Sequence, residues 1–285
     1  MTNLEALVLG AVQGLTEFLP ISSTAHLRLV PALLGWQDPG APLSAVIQCG
    51  TLVAACAAMR RDIARLAAGL WRGVRTGRPL ADADSRLAIM VAIGTLPIVA
   101  VGFAARHLIR GEARRLEVVT LALLAGTLLM AVAELACRRR PPGRAGLDAV
   151  GFSDGIAMGL VQSLALVPGM SRSGVTISSG MLTGLDRTTA ARLSFLLSLP
   201  AVAAAGMLEA WQQRHEIFGS SAGIVAASIG VATAAVVGYA SIRWLLRQLT
   251  SHTLWPFVAY RLALVAVLAA SLAAGDWRTI TSAAP

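Results

Sequence analysis

Six apolar runs, each near twenty residues, set the first limit on what this chain can become. They cover about 43–59, 87–105, 117–137, 190–210, 221–242 and 255–274. A helix of about 20 apolar residues spans the hydrocarbon core of a bilayer. Composition agrees, with 56% of the 285 residues hydrophobic and 14% charged. Soluble domains carry about a quarter charged residues, and disordered chains lack this apolar content. The expectation is an all-α integral membrane protein, 1–285 forming a single membrane domain.

The formal net charge is +9, and all 24 basic residues are arginine. Such a surplus can serve nucleic acid. These arginines lie in short tracts between apolar runs, as membrane-flanking charges do. Membrane lipid is therefore an expected partner and nucleic acid is not. Cys49, Cys56 and Cys137 form no CxxC pair and no zinc spacing. They lie in apolar runs, where cysteine behaves as a small hydrophobe, so neither a disulfide framework nor a structural metal is expected. The histidines at 26, 107, 215 and 252 are scattered. The N-terminus lacks the basic region of a cleavable signal, so the chain is expected to insert by its own spans.

Two further apolar stretches, about 4–34 and 152–184, are each interrupted by proline and a polar cluster. The interruptions read Leu19-Pro20-Ile21-Ser22-Ser23-Thr24 and Val167-Pro168-Gly169-Met170-Ser171-Arg172-Ser173. Proline removes a backbone donor and disrupts the preceding turn. In lipid, such a break survives only where protein buries it or water reaches it. The spacing predicts two re-entrant hairpins of half-helices; the plainer alternative is two kinked full spans.

The two stretches also resemble each other. Leu9-Gly10-Ala11-Val12-Gln13-Gly14-Leu15 matches Met158-Gly159-Leu160-Val161-Gln162-Ser163-Leu164, and both run on to a proline and a serine-rich turn. Three apolar runs follow each. The expected organisation is one five-helix unit used twice, about 1–150 and 151–285. Each unit has a re-entrant half-helix pair and three transmembrane helices. An odd number of full crossings inverts the second copy, and sites in inverted repeats form at the midplane where broken helices meet. With the N-terminus outside, the inner segments are 60–86, 138–150, 187–192 and 243–261. They hold sixteen arginines, from Arg60 to Arg261, against seven outside (Arg28, Arg106, Arg110, Arg114, Arg115, Arg214, Arg278) and Arg172 within the membrane. The positive-inside rule favours this orientation.

Ser22, Ser23, Thr24, Ser171 and Ser173 are residue types that cap helix N-termini. A helix N-terminus presents free N–H groups and the positive end of its dipole, which together bind anions. Two such termini facing each other would cradle phosphate, with Gly174 and Thr176 in the second. Arg172 adds a planar fork of donors suited to phosphate oxygens. The blander reading pairs Arg172 with Glu17 and gives it no other role. Glu17 follows Gln13 by four residues, on one face of the first half-helix; Gln162 takes the matching place in the second. Ser23 and His26 are three apart on the next half-helix. The second stretch has Leu166 near the place of Glu17 and no histidine near that of His26. One break thus offers acid–base and nucleophilic groups, the other a phosphate clamp. For His26 alone, packing is the simpler role.

These residues also carry a family resemblance. Gln13-Gly14-Leu15-Thr16-Glu17-Phe18-Leu19-Pro20-Ile21-Ser22-Ser23-Thr24-Ala25-His26 resembles the first signature of the bacterial undecaprenyl-diphosphatases of the bacitracin-resistance type. Pro168-Gly169-Met170-Ser171-Arg172-Ser173-Gly174-Val175-Thr176 resembles the second, and Leu193-Ser194-Phe195-Leu196-Leu197-Ser198-Leu199-Pro200 also fits. Gln13 stands where that family often has Glu, which bears against a mechanism with two carboxylates. Ala25 stands where it usually has Gly.

The resemblance implies hydrolysis of undecaprenyl diphosphate to the monophosphate carrier of cell-wall synthesis. It implies an inner-membrane enzyme open to the periplasmic side and assisted by a divalent cation, Mg²⁺ or Ca²⁺. Glu17 would act as base or metal ligand, and Arg172 with the half-helix termini would neutralise phosphate charge. Ser23, His26 or water would attack; Ser23 is favoured because its hydroxyl lies nearer the expected helix start. A polyprenyl diphosphate lipid is the expected partner, with room for a homodimer. A lipid-carrier transporter is the competing class, because inverted repeats with broken helices are also transporter architecture. The membrane lipid phosphatases built on an SR…H…D arrangement do not fit, since no histidine follows Ser171-Arg172 before His215.

Overall fold

The computed structural model describes residues 2–36, 40–110, 113, 115–140, 142–212 and 221–274. Arg114, Arg214, His215 and Arg278 lie outside the described residues. Among those described there is no strand, only an isolated bridge between Arg144 and Leu185.

The first broken stretch begins with α1 (Asn3–Phe18), opened by a capping box in which Thr2 and Glu5 each bond the other's backbone N–H. A residue before proline is pushed out of the helical region. Leu19, before Pro20, is accordingly extended (φ −67°, ψ 140°) and ends α1. The chain restarts as α2 (Ser23–Leu33) and packs back on α1. The second stretch behaves alike. α8 (Phe152–Gln162) tightens into a 3₁₀ turn at Ser163–Leu166, and Val167, before Pro168, is extended (φ −79°, ψ 116°). α9 (Arg172–Leu182) then returns along α8, bringing Gly180 against Met158. Each stretch is a pair of half-length helices that pack on one another.

The remaining helices are α3 (Gly40–Ala58), α4 (Arg60–Arg75), α5 (Ala83–Ala104), the short α6 (Arg106–Arg110), α7 (Leu116–Arg138), α10 (Arg187–Gln212), α11 (Ser221–Gln248) and α12 (Trp255–Ala274). Five of them, α5, α7, α10, α11 and α12, are long and apolar enough to cross a membrane. The expected run 43–59 coincides with α3, whose side chains at 40–45 lie outside the described residues. The protein is an all-helical, multi-pass integral membrane protein.

Two expectations need correction. Much of 60–86 is the helix α4 and not a loop. It is amphipathic, and its small and apolar positions Leu66, Gly69 and Gly73 are buried. The inner segment 243–261 is shorter than expected, because α11 runs to Gln248 and α12 starts at Trp255. Arg261, counted there as a flanking charge, lies inside α12 with none of its surface exposed.

Helices of the first half pack on helices of the second. α1 and α3 lie against α11, α8 and α10 against α5, and α7 against α12. Small residues allow close approach where no hydrophobic drive separates helix from lipid. A Cβ on Gly14 would stand 2.8 Å from Ala234 O, and one on Gly159 2.4 Å from Gly94 O. These contacts seat the first helix of each hairpin against a long helix from the other half of the chain.

Candidate active site

Each half-helix restarts on a serine in the left-handed region, Ser22 at φ 76° and Ser171 at φ 67°. They are the only non-glycine residues so placed among those described. Such a backbone costs roughly 1–3 kcal/mol per residue and persists only where the surroundings impose it. Here the two breaks impose it on each other. Thr24 Oγ1 accepts from Gly169 N at 3.1 Å, and Ser173 Oγ donates to Leu19 O at 3.1 Å. Ser171 Oγ caps α9 by accepting from Gly174 N at 3.2 Å. Ser22 makes no such cap. Its hydroxyl meets Thr24 Oγ1 at 3.1 Å, so α2 begins with backbone N–H groups that no side chain among the described residues takes.

Glu17, on the last turn of α1, gathers the polar groups. Its Oε1 accepts from Arg172 Nη2 at 2.6 Å and from Gln48 Nε2 at 3.5 Å. Its Oε2 accepts from Ser23 Oγ at 2.6 Å and from Gln13 Nε2 at 3.0 Å. The Ser23 bond is short enough for proton transfer to a carboxylate base. Arg172 Nε and Nη1 make no hydrogen bond to a described residue, so the ion pair leaves donors over. Glu17, Ser22, Ser23, Thr24, Gln48, Ser171 and Arg172 line one side of a cavity of about 180 Å³. Ile98 of α5, Leu166, and Ala201, Val202 and Ala205 of α10 line its apolar side.

Other residues singled out in the sequence sit elsewhere. His26 Nδ1 donates to Ser22 O at 2.8 Å, which leaves Nε2 to accept from Tyr260 Oη at 2.6 Å. The two rings stack with centroids 5.7 Å apart. His26 therefore braces the first break and is not on the cavity wall. Thr176 Oγ1 bonds Arg172 O at 2.7 Å and Ser194 Oγ at 2.5 Å, one turn below the break. Ser173, bonded to Leu19 O, and Gly174, against Met130 of α7, are buried off the cavity wall. Gln162 is buried and makes no hydrogen bond to a described residue.

Sequence reasoning missed three residues. Gln48 was one more polar residue in an apolar run. Tyr260 carried no motif. Arg261 is the largest omission. Its Nε donates to Thr127 Oγ1 at 2.8 Å and its Nη2 to Leu123 O at 2.8 Å. Longer bonds of 3.3 Å reach Pro20 O, Gly169 O and Met170 O, so one guanidinium holds carbonyls of both breaks. No carboxylate pairs with it among the described residues. Pro20, Gly169 and Met170 lie in the irregular turns of the breaks, where carbonyls have no helical partner. The signal was an arginine seven residues into an apolar run, where an ionisable side chain points to a site by default.

Residues 6–267 match the family of bacitracin resistance protein BacA. The chain belongs to that family. Named relatives agree over nearly the whole length. The undecaprenyl-diphosphatase of Chlorobium phaeobacteroides (strain BS1) is 46% identical over 269 residues, 93% of this chain and 95% of the relative. That of Chlorobaculum tepidum is also 46% identical, covering 93% and 95%. That of Chlorobium luteolum is 45% identical over 278 residues, covering 96% and 99%. Both breaks, and every residue bonded to Glu17, fall within the matched region.

Proposed function

We propose that this chain hydrolyses undecaprenyl diphosphate to undecaprenyl phosphate and inorganic phosphate. The observation that carries the reading is the Glu17 carboxylate, set between the Ser23 hydroxyl and the Arg172 guanidinium at 2.6 Å each. The terminal phosphate sits at the uncapped start of α2, held by backbone N–H groups and by the Arg172 fork. Ser23 Oγ attacks the terminal phosphorus as its proton passes to Glu17 Oε2. The bridging P–O bond breaks, and the lipid monophosphate leaves with that oxygen. Glu17 hands that proton to the departing monophosphate. Water then attacks the phosphoserine as a proton passes to Glu17, the Ser23 Oγ–P bond breaks, and Glu17 returns the proton to Ser23 Oγ as inorganic phosphate leaves. Of the three nucleophiles left open by sequence, geometry favours Ser23, because both nitrogens of His26 are engaged away from the cavity.

A divalent cation fits the donors present. Gln13 Oε1 is buried without a hydrogen-bond partner beside Glu17. Mg²⁺ is commonly held by one or two protein oxygens together with substrate phosphates. Glu17 and Gln13 would hold it, and it would offset phosphate charge. Arg261 acts as a positioning residue: it ties the two breaks into one rigid unit, and Tyr260 does the same for His26.

The apolar wall between α5 and α10 suits a prenyl chain that stays in lipid while its diphosphate enters. The matched serine turns support reading 1–150 and 151–285 as two copies of one unit. The arginine distribution supports an inner-membrane orientation with the N-terminus and the cavity mouth outside. No observation favours the transporter reading. Purified protein in detergent should release inorganic phosphate from undecaprenyl diphosphate, and Ser23→Ala should not. Absence of phosphate release by the folded native protein would overturn the proposal.

A further inference from the structure

α4 lies across one end of the bundle. Between Arg65 and Gly73, its ion pairs and closest glycine approaches reach Asp82–Ser85, at the start of α5. A Cβ on Gly69 would stand 2.4 Å from Asp84 Cβ, and one on Gly73 2.5 Å from Ser85 Oγ. Arg65 pairs with Asp84 at 2.5 Å, and Arg72 with Asp82 at 3.0 Å. Further ion pairs, Asp62 to Arg192 at 2.5 Å and Arg65 to Asp148, fix it over the start of α10 and the segment leading into α8. Asp82 caps α5 through Ser85 N, and this bond with Arg72 holds its carboxyl below the ordinary pKa.

Three arcs follow from 3.6 residues per turn. Leu66, Gly69 and Gly73 face the bundle. Leu70, Trp71 and Val74 form a second arc, with Trp71 70% and Val74 64% exposed and the exposed Arg60 at its beginning. Arg61, Arg65, Arg72 and Arg75 form the third. Arg65 and Arg72 are neutralised by Asp82, Asp84 and Asp148. Exposed Arg61 and Arg75, and Arg78 just beyond the helix, have no carboxylate partner among the described residues. An apolar arc beside a cationic arc, on a helix lying across a membrane protein's end, is the pattern of an interfacial helix.

We propose that α4 is an in-plane helix that seats anionic phospholipid headgroups. Trp71 and Val74 enter the boundary of the acyl chains, and Arg61, Arg75 and Arg78 meet the lipid phosphates. Each basic residue near an anionic surface is worth on the order of a fivefold preference. The site is remote from Glu17 and Ser23 and does not depend on the chemistry proposed for them.

The test places the full chain in nanodiscs of mixed phosphatidylglycerol and phosphatidylcholine, with only one lipid brominated in its upper acyl chain. The Trp71 signal is the difference between the native protein and Trp71→Phe. Brominated phosphatidylglycerol should quench Trp71 several-fold more than brominated phosphatidylcholine at the same mole fraction. High salt should shrink that difference, because surface charge is screened. The triple variant Arg61→Gln/Arg75→Gln/Arg78→Gln should lose it while keeping phosphate release, which also reports that it is folded. Equal quenching by the two lipids in the native protein would overturn the headgroup preference. Quenching by aqueous acrylamide in place of bromolipid would overturn the in-plane placement.

Discussion

Ser23 Oγ donates a 2.6 Å hydrogen bond to Glu17 Oε2 across the first break. The two residues are six apart in sequence, yet Pro20 and the left-handed turn at Ser22 fold one half-helix onto the end of the other. Gln13 and Arg172 hold the same carboxylate from either side. Glu17→Gln keeps the shape, removes the base and leaves Arg172 without its counter-charge. Its kcat is expected to fall by about 10²–10⁴-fold, the usual contribution of a positioned base. Gln13→Ala removes one neutral hydrogen bond and should lower activity by only about tenfold. Phosphate release from the lipid diphosphate, alongside a thermal melt, checks both.

Arg172→Lys keeps the charge and loses the fork. A lysine can pair with Glu17 but cannot also present parallel donors to phosphate. Two charge-assisted bonds lost correspond to about 3 kcal/mol, or ~100-fold in kcat/KM. Near-normal kinetics in the folded variant would return Arg172 to the role of ion-pair partner alone.

Arg261→Gln strips donors from carbonyls at both breaks. Buried acceptors left unsatisfied cost about 1–3 kcal/mol each, so the melting temperature should drop. The breaks would also loosen relative to each other, and kcat should fall about 10–100-fold with KM nearly unchanged. An unaltered kcat with lowered stability would make Arg261 a structural residue only. Tyr260→Phe loses one hydroxyl and should cost about 1 kcal/mol, because His26 keeps its bond to Ser22 O.

Gly126 on α7 approaches the second break. An alanine there would put its Cβ 2.4 Å from Met170 O and 2.7 Å from Arg261 Nη2. Overpacking of this kind costs about 1–3 kcal/mol. Gly126→Ala should lower both the melting temperature and turnover. Gly102→Ala is the matched control, since its nearest neighbour is Leu166 Cδ2 at 3.5 Å. Equal melts for the two variants would contradict the packing at the break.

The sequence shows the half-helices because proline acts locally: Pro20 and Pro168 each force the preceding residue to extend. It also shows the long spans, whose length answers to bilayer thickness. Glu17, Ser23 and Arg172 are legible because polar groups stand out at apolar breaks. Less legible is which way each side chain turns. Ser23 and His26 share a half-helix, yet one meets Glu17 and the other Tyr260, 234 residues away. That outcome is set by α12, packed against the breaks from the far end of the chain. Arg261 was counted as a flanking charge although it stands seven residues into the 255–274 run, because most arginines of this chain do flank such runs. α4 was hidden by its arginines, which made an amphipathic helix resemble a loop.

The stereochemical course at phosphorus tests the central claim most directly. Undecaprenyl diphosphate whose terminal phosphorus is made chiral with sulfur and oxygen isotopes is hydrolysed by the native protein. Attack by Ser23 followed by water makes two in-line displacements, and the account predicts net retention of configuration in the released thiophosphate. Net inversion would mean a single displacement by water, and would contradict Ser23 as the nucleophile activated by Glu17.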